Sequence, residues 1–100
     1  MGTYVMLADW TAHGVANVKD SPSRLDAARK LAKAQGGKMG DFYMTMGGHD
    51  MVAIVDMPDD AAMATFCLKL ASGGAVRTHT MKAFSEKEYR SIMGGLGAKK

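Results

Sequence analysis

Glycine pairs divide this chain into short segments that alternate between strand-like and helix-like patterns. Three of the four glycine pairs, at positions 36–37, 47–48 and 73–74, separate these segments, and each favours a turn because glycine adopts a positive φ at little cost. Four of the segments are rich in β-branched, aromatic and other apolar residues, which is typical of short strands. These predicted strands span residues 3–9, 38–46, 51–57 and 75–84.

Helical spacing of apolar residues marks the segments between the strands. The first predicted helix begins at Ser21 and Pro22, which suit a helix N-terminus, and the next glycine pair ends it. The second predicted helix follows Asp59, its expected N-cap, and ends at the third glycine pair. After the last strand, Ser85 and Glu88 have the spacing of a capping box, which predicts a short third helix.

The order of these elements is strand, helix, strand, strand, helix, strand, with a hairpin in the middle. It predicts an α+β fold of ferredoxin-like βαββαβ design, in which a four-stranded antiparallel sheet carries helices on one face. Strands one and three are expected at the centre of the sheet.

The 100 residues fit one domain, which we place at residues 1–93, where the third helix is expected to end. Residues 94–100 are rich in Gly and Lys and are predicted to form a flexible tail.

Both faces of the predicted sheet carry apolar side chains, although helices cover only one of them. One alternation contains Val5, Leu7, Val52 and Ile54, and the other contains Tyr4, Met6, Met51 and Val55. Strands that are apolar on both faces are normally covered on both, and a bare apolar face of this size is unusual for a monomer. We therefore expect the chain to partner itself, as a homodimer or a higher homo-oligomer.

Charge and cysteine content exclude several classes of protein. The formal charge is only +3, and two of the lysines, Lys99 and Lys100, end the chain; nucleic-acid binding requires clustered Lys and Arg. No run of about 18 apolar residues is present, so no membrane span is predicted. The single cysteine, Cys67, fits a reducing compartment. We expect a cytoplasmic protein with neither a nucleic-acid nor a membrane partner.

Four stretches of the chain carry a further pattern. They are Trp10-Thr11-x-x-Gly14 with Lys19-Asp20-Ser21-Pro22-x-Arg24, Tyr43-x-Thr45-x-Gly47-x-His49-Asp50, Pro58-Asp59-Asp60, and Val76-Arg77-Thr78-x-Thr80-x-x-Ala83-Phe84. In their order and spacing these stretches resemble the GYD domain family, and the resemblance extends from Tyr4 to about Ile92.

The resemblance implies a place in the dimeric α/β-barrel group of ferredoxin-like folds, in which two sheets face each other and can enclose a pocket. Relatives in that group include haem-handling proteins and cofactor-free oxygenases, but the family itself implies no general activity. One position departs from the family pattern, because His49 stands where a tyrosine usually precedes the aspartate. An imidazole can still form hydrogen bonds, and it titrates near neutral pH.

The candidate catalytic residues are His49, Asp50 and Arg77. An imidazole, a carboxylate and a guanidinium around a pocket can perform general acid–base chemistry. Tyr43 and His79 are predicted to line the same region and to contact a ligand. The alternative is a polar network that fixes the hairpin and the loop, with Asp50 accepting backbone N–H bonds.

A second group of candidate ligand-binding residues surrounds the polar segment 10–20, which is long for a loop in a compact domain. Lys19 and Arg24 flank the start of the first long helix, where an anion can bind. In the alternative, Asp20 pairs with one of these cations or caps the helix. Trp10 either lines a ligand pocket or packs at a strand end or subunit interface.

No metal site and no cofactor are predicted. The histidines His13, His49 and His79 lack the spacing of zinc sites. Copper remains an alternative because Met44 and Met46 near His49 can supply soft ligands, and haem remains one by analogy with the fold relatives. Cys67 is interpreted as a small core residue.

Two functions are consistent with these features. The first is a non-enzymatic oligomeric domain that binds a small molecule or serves as an interaction module, because no complete catalytic constellation is visible. The alternative is a cofactor-independent enzyme, of oxygenase or isomerase type, acting on a small, partly apolar compound in a barrel pocket. In that enzyme His49 or Asp50 is the base and Arg77 stabilises an anion.

Overall fold

The computed structural model describes residues 1–97, and an antiparallel sheet of four strands forms its centre. The strands are β1 (Gly2–Trp10), β2 (Lys38–Met44), β3 (Met51–Met57) and β4 (Val76–Ala83). The helices are α1 (Ala12–Ala16), α2 (Ser21–Ala34), α3 (Asp60–Ser72) and α4 (Glu86–Leu96). The sheet order is β2-β3-β1-β4, so strands one and three are central and the predicted ferredoxin-like α+β fold is confirmed.

The register of the sheet fixes which side chains share a face. Tyr4 of β1 lies opposite Val55 of β3 and Lys82 of β4, so side chains of even number on β1 share their face with the odd-numbered ones of β3. The pairing of β2 with β3 shifts between Met39 and Phe42, where a bulge interrupts the ladder. A bulge of this kind bends the strand locally and increases its twist.

The core lies between one face of the sheet and helices α2 and α3. Its largest fully buried side chains are Phe66 of α3 with Met57 and Val55 of β3. On α2 the buried residues are Ala28 and Ala32, whose small side chains let the helix approach the sheet closely. Asp59 caps α3 by accepting the N–H of Ala62 at 2.8 Å, as predicted.

The opposite face of the sheet, which we call the open face, has no comparable cover from α2 or α3. Its central side chains remain half-buried although they are apolar; they are Val5 and Leu7 of β1 with Val52 and Ile54 of β3. Met81 of β4 extends the same face and is 51% exposed. The prediction that both faces carry apolar side chains is therefore confirmed.

Residues 11–20 differ from the predicted loop, because they contain α1 and a 3-10 turn at Val18–Asp20. Thr11 starts α1: its hydroxyl accepts the N–H of Gly14 at 3.1 Å, and its own N–H donates to Ala75 at 3.0 Å. Gly14 is buried against Ala75, the residue before β4, and a β-carbon at position 14 would lie 2.0 Å from the carbonyl oxygen of Ala75. A helix of five residues leaves too little periodicity to be recognised in the sequence.

Helix α4 is longer than predicted and stands apart from the core. The capping box at its start is confirmed, since the Ser85 hydroxyl accepts the Glu88 N–H at 3.1 Å and the Glu88 carboxylate accepts the Ser85 N–H at 2.8 Å. The helix continues through Gly94 and Gly95 to Leu96, where a flexible tail was predicted. Gly97 follows as the C-cap of the helix, and the last part of that tail, residues 98–100, lies outside the described residues.

No residue of α4 is buried. Its large apolar side chains fall on one stripe: Tyr89, Ile92, Met93 and Leu96.

The radius of gyration is 15.6 Å, whereas a compact domain of about 100 residues has one of roughly 13 Å. The molecule is thus elongated, 57 Å along its longest axis and 19 Å along its shortest. Among residues 1–97, no helix combines the length and the apolar character needed to span a membrane.

Candidate functional site

The open face carries a polar cluster at one end, built from Asp9, His49 and His79. Asp9 lies at the end of β1, His49 in the loop before β3, and His79 on β4. Because side chains alternate along a strand, Asp9 and His79 point to the same face as Val5 and Leu7. One ligand-type atom from each of the three residues lies within 4.8 Å of the others.

The carboxylate of Asp9 is the centre of this cluster. Its oxygens lie 3.1 and 3.2 Å from Nδ1 of His49, and 3.5 Å from Nε2 of His79. It also accepts the backbone N–H of Asp50 at 3.1 Å. Partial removal from water raises the pKa of Asp9, but the hydrogen bonds with His49 and with the Asp50 N–H outweigh it. The net pKa is lower than usual, so this carboxyl is ionised at neutral pH.

The loop that presents His49 is closed by hydrogen bonds at its base. Thr45 donates its N–H to the carbonyl of Asp50 at 2.7 Å and its hydroxyl to the carbonyl of His49 at 2.6 Å. Asp50 donates its N–H to Ala8 of β1 at 3.1 Å as well. His49 is therefore held from both sides of the loop, and its ring is positioned before any ligand arrives.

Asp50, a predicted catalytic residue, uses its carboxylate to accept the N–H of Trp10 at 3.0 Å. This bond ties the loop to the end of β1 and matches the alternative interpretation, in which Asp50 fixes the hairpin. The acidic group beside His49 is instead Asp9, which no motif in the sequence singles out.

The cluster is accessible to solvent. The side chains of Asp9, His49 and His79 are 19%, 36% and 55% exposed, and the two imidazole rings lie 5.1 Å apart at a tilt of 54°. A carboxylate that holds an imidazole in one orientation can support general acid–base catalysis. Two imidazoles and a carboxylate are also a common set of ligands for transition metals.

Arg77 and Tyr43 share the open face but differ in their distance from the cluster. Arg77 lies directly opposite Asp9 in the β1–β4 register, yet among residues 1–97 its guanidinium forms no ion pair. Tyr43 lies in the same cross-strand row as His79. Two strands separate them, so the fold does not bring Tyr43 into the cluster.

The other predicted ligand-binding residues lie away from the open face. Arg24 donates to the backbone carbonyls of Asn17 and Gly14 at 3.2 and 3.4 Å, and so supports the end of α1. Lys19 is exposed in the 3-10 turn. The indole N–H of Trp10 is buried and has no hydrogen-bond partner among the described residues. These three residues do not form one site with His49.

An apolar cavity of about 130 Å³ lies between the sheet and helices α2 and α3. Leu25, Met39, Phe42 and Leu70 contribute to its wall, and Arg24 adds a charge. The cavity is on the helix side of the sheet, separate from the polar cluster. Its apolar lining suits a small apolar compound.

A second polar group lies in a groove between α3 and β4. The Tyr4 hydroxyl donates to the carboxylate of Asp60, and Lys82 donates to the same carboxylate at 3.2 Å. Cys67 borders this groove, with its sulfur 3.2 Å from the hydroxyl of Thr80, and it packs against the core. This position agrees with the interpretation of Cys67 as a small core residue.

Comparison with known proteins identifies relatives of the whole domain. The model of the GYD domain matches residues 4–93. The "Glutamine synthetase and cystathionine beta-lyase binding protein" of Thermus thermophilus is 31% identical over 84 residues, which cover 83% of this chain and 88% of that protein.

A crystal structure of a protein from the same bacterium shares the fold, with a TM-score of 0.55 and 22% identity over 85% of this chain and 95% of the other. The resemblance read from the sequence motifs is thereby confirmed. The chain belongs to the GYD domain family.

Proposed function

We propose that this chain is a protein-interaction module that pairs with a second copy of itself and binds a further protein. The observation that carries the proposal is that two apolar surfaces, the open face and the stripe of α4, are uncovered in the single chain. Contiguous exposed apolar surfaces on a folded domain are typical of interaction sites.

The open face is proposed as the surface of self-association. It is broad, apolar at its centre and bordered by polar groups such as Asp9 and Asp56, an arrangement that resembles a protein interface. One face that packs on its own copy about a two-fold axis gives a closed dimer. Two sheets stacked in this way form the dimeric α/β barrel that the family resemblance implies.

The stripe of α4 is proposed as the surface for the second partner. Tyr89, Ile92, Met93 and Leu96 follow the i, i+3, i+4, i+7 spacing of a helix that inserts its apolar side into a groove. The capping box supports this helix without help from the core. The relative from Thermus thermophilus is named for binding glutamine synthetase and cystathionine β-lyase, and we propose these two enzymes as the partners to test first.

Self-association is tested by size-exclusion chromatography with light scattering. Ile54→Glu places a charge in the centre of the open face, and we expect it to convert the dimer into a monomer. The matched control is Leu68→Glu, which changes an exposed apolar residue on α3 outside the open face. A wild-type monomer, or a dimer that survives Ile54→Glu, contradicts the assignment of the open face.

Partner binding is tested with purified glutamine synthetase and cystathionine β-lyase from the organism that supplies this chain. We expect one or both enzymes to bind the immobilised wild-type protein and the Leu68→Glu control, and Leu96→Glu to weaken that binding at least tenfold. If Leu96→Glu instead dissociates the homo-oligomer, α4 belongs to the self-interface. If neither enzyme binds, the proposed partners are wrong.

The cavity beneath α2 favours a second candidate function, the binding of a small apolar compound. Native mass spectrometry of freshly purified protein tests it, because a bound compound adds mass that disappears on denaturation. If the native mass equals the mass of the protein alone under every purification condition, the cavity binds no compound and the interaction module is favoured.

A further inference from the structure

The cluster at the end of the open face has a composition that self-association does not require. We propose that Asp9, His49 and His79 bind one divalent transition-metal ion, of which Zn²⁺ is the best probe. The three side chains come from β1, the loop before β3, and β4, so the site exists only in the folded chain.

Two of the three distances between candidate ligand atoms fit a metal ion, and the third pair lies within 4.8 Å. A carboxylate oxygen of Asp9 lies 3.1 Å from Nδ1 of His49 and 3.5 Å from Nε2 of His79. Two ligand atoms that each lie about 2.1 Å from zinc are roughly 3.0–3.5 Å apart at the angles of octahedral or tetrahedral coordination. An ion can therefore enter with small rotations of the two rings, replacing the hydrogen bond between His49 and Asp9.

The chemistry of the ligands selects the class of ion. Imidazole nitrogen suits zinc, copper, iron and nickel, whereas magnesium and calcium prefer sites made of oxygen atoms alone. Two imidazoles and one carboxylate leave at least one coordination position for water or another group. An open position of this kind is typical of a catalytic or ligand-exchanging site, whereas structural zinc sites are closed by four protein ligands.

The residues around the cluster hold its ligands in place. The backbone N–H of Asp50 donates to Asp9 at 3.1 Å, so one carboxylate oxygen is oriented before metal arrives. The carbonyl of His49 accepts the Thr45 hydroxyl at 2.6 Å, which restrains the loop. Such supporting hydrogen bonds orient metal ligands and strengthen binding. The His79 side chain makes no hydrogen bond besides its contact with Asp9 within the described chain, so its ring is free to turn toward an ion.

The sequence did not predict this site, because residues 9, 49 and 79 are far apart along the chain and lack zinc-finger spacing. The site is also independent of the proposed self-association. A monomeric variant such as Ile54→Glu is expected to keep its metal affinity if all ligands come from one chain.

The test is calorimetric titration of tag-free, chelator-treated protein with ZnCl₂. We expect one Zn²⁺ per chain, and we expect His79→Ala and His49→Ala each to weaken binding by more than about 100-fold, beyond the loss typical of supporting residues. The matched control is His13→Ala, which removes the exposed histidine of α1 outside the cluster. Circular dichroism verifies that each variant remains folded.

Cobalt provides a second measurement that does not depend on affinity alone. Co²⁺ bound by wild-type protein and by His13→Ala is expected to show visible absorption bands that His79→Gln lacks, because that substitution removes a nitrogen ligand but retains a polar side chain. Wild-type protein without stoichiometric Zn²⁺ binding, or variants at positions 49 and 79 that bind as tightly as wild type, would overturn the proposal.

Discussion

Gly14 lies so close to Ala75 that a β-carbon at position 14 would sit 2.0 Å from the Ala75 carbonyl oxygen. Helix α1 is thereby held against the segment that leads into β4, and Thr11 donates its N–H to the same carbonyl at 3.0 Å. Gly14→Ala must push these backbones apart, and we expect it to cost about 1–3 kcal/mol in the free energy of unfolding. Urea denaturation measures this cost.

The matched control for that substitution is Gly48→Ala, because a β-carbon at position 48 meets no atom within 4 Å. We expect its free energy of unfolding to stay within about 0.5 kcal/mol of wild type. Equal effects at positions 14 and 48 would contradict the close packing of Gly14 on Ala75.

Phe66→Ala is expected to destabilise the chain by about 3–5 kcal/mol. Phe66 is fully buried between α3 and the sheet, and its removal leaves a cavity that the alanines of α2 cannot fill. Leu68→Ala, two residues along the same helix, changes a side chain that is 71% exposed and is expected to change stability by less than about 0.5 kcal/mol. Thermal denaturation measures the stability of both variants. A similar loss of stability for Phe66→Ala and Leu68→Ala would show that Phe66 does not belong to the core.

The hydrogen bonds of Asp60 are expected to make the stability of the chain depend on pH in both acidic and alkaline solution. Hydrogen bonds from Tyr4 and Lys82 hold the pKa of Asp60 below its usual value. Its contribution is therefore present above about pH 4 and is lost as the pH falls through the lowered pKa. The hydrogen bond with Asp60 is also the main reason why the pKa values of Tyr4 and Lys82 are raised. Their contributions are present below about pH 10 and are lost as the pH rises through the raised pKa values.

Asp60→Asn is expected to flatten the stability profile of the chain below about pH 4 and above about pH 10, because it removes the shared partner of both groups. The melting temperature measured across this range tests the expectation. The control is Asp26→Asn, at an exposed position of α2. If the melting temperatures of wild type and Asp60→Asn changed with pH in parallel, the Asp60 carboxylate would contribute nothing to the pH dependence of stability.

Ser85→Ala is expected to reduce the helical content of α4, with a loss of about 1 kcal/mol in helix stability. The Ser85 hydroxyl satisfies the N–H of Glu88, and the core offers α4 no compensating burial. Because α4 is unburied, the global unfolding transition should change little while the chemical shifts of residues 86–96 move toward coil values. Ser91→Ala, within the same helix, should increase its helicity instead.

The fold could be predicted from the sequence because each turn and cap carries a local signal. Gly36 and Gly74 have φ values of +85°, so the glycine pairs that separate the elements are required by the backbone. The Asp59 cap and the Ser85–Glu88 box are likewise visible within four residues of sequence. Gly94 and Gly95 were misleading, because they lie inside α4 with no β-carbon clash to avoid and no positive φ to adopt.

The candidate site could be predicted only in part, because its contacts join distant residues. His49 and His79 were selected as polar groups near a hairpin and on a strand, but the carboxylate that joins them belongs to Asp9, 40 residues before His49. Predicting it requires the register of β1 against both neighbours. The alternation of Val5, Leu7 and Asp9 on one face was the available signal, and it becomes informative only once β1 is known to be central.

The central position of β1 also governs how the chain can fold while it is being made. Tyr4 lies opposite Val55 on one side and Lys82 on the other. Lys82, the later of these partners, is translated roughly 4–16 s after Tyr4 at rates of about 5–20 residues per second. Until β3 has been translated the nascent strand has two unpaired edges, and until β4 has been translated it keeps one, with apolar side chains on both faces. The sheet is completed only when β4 has left the ribosome, so the last strand to be translated decides whether the first one is protected from aggregation.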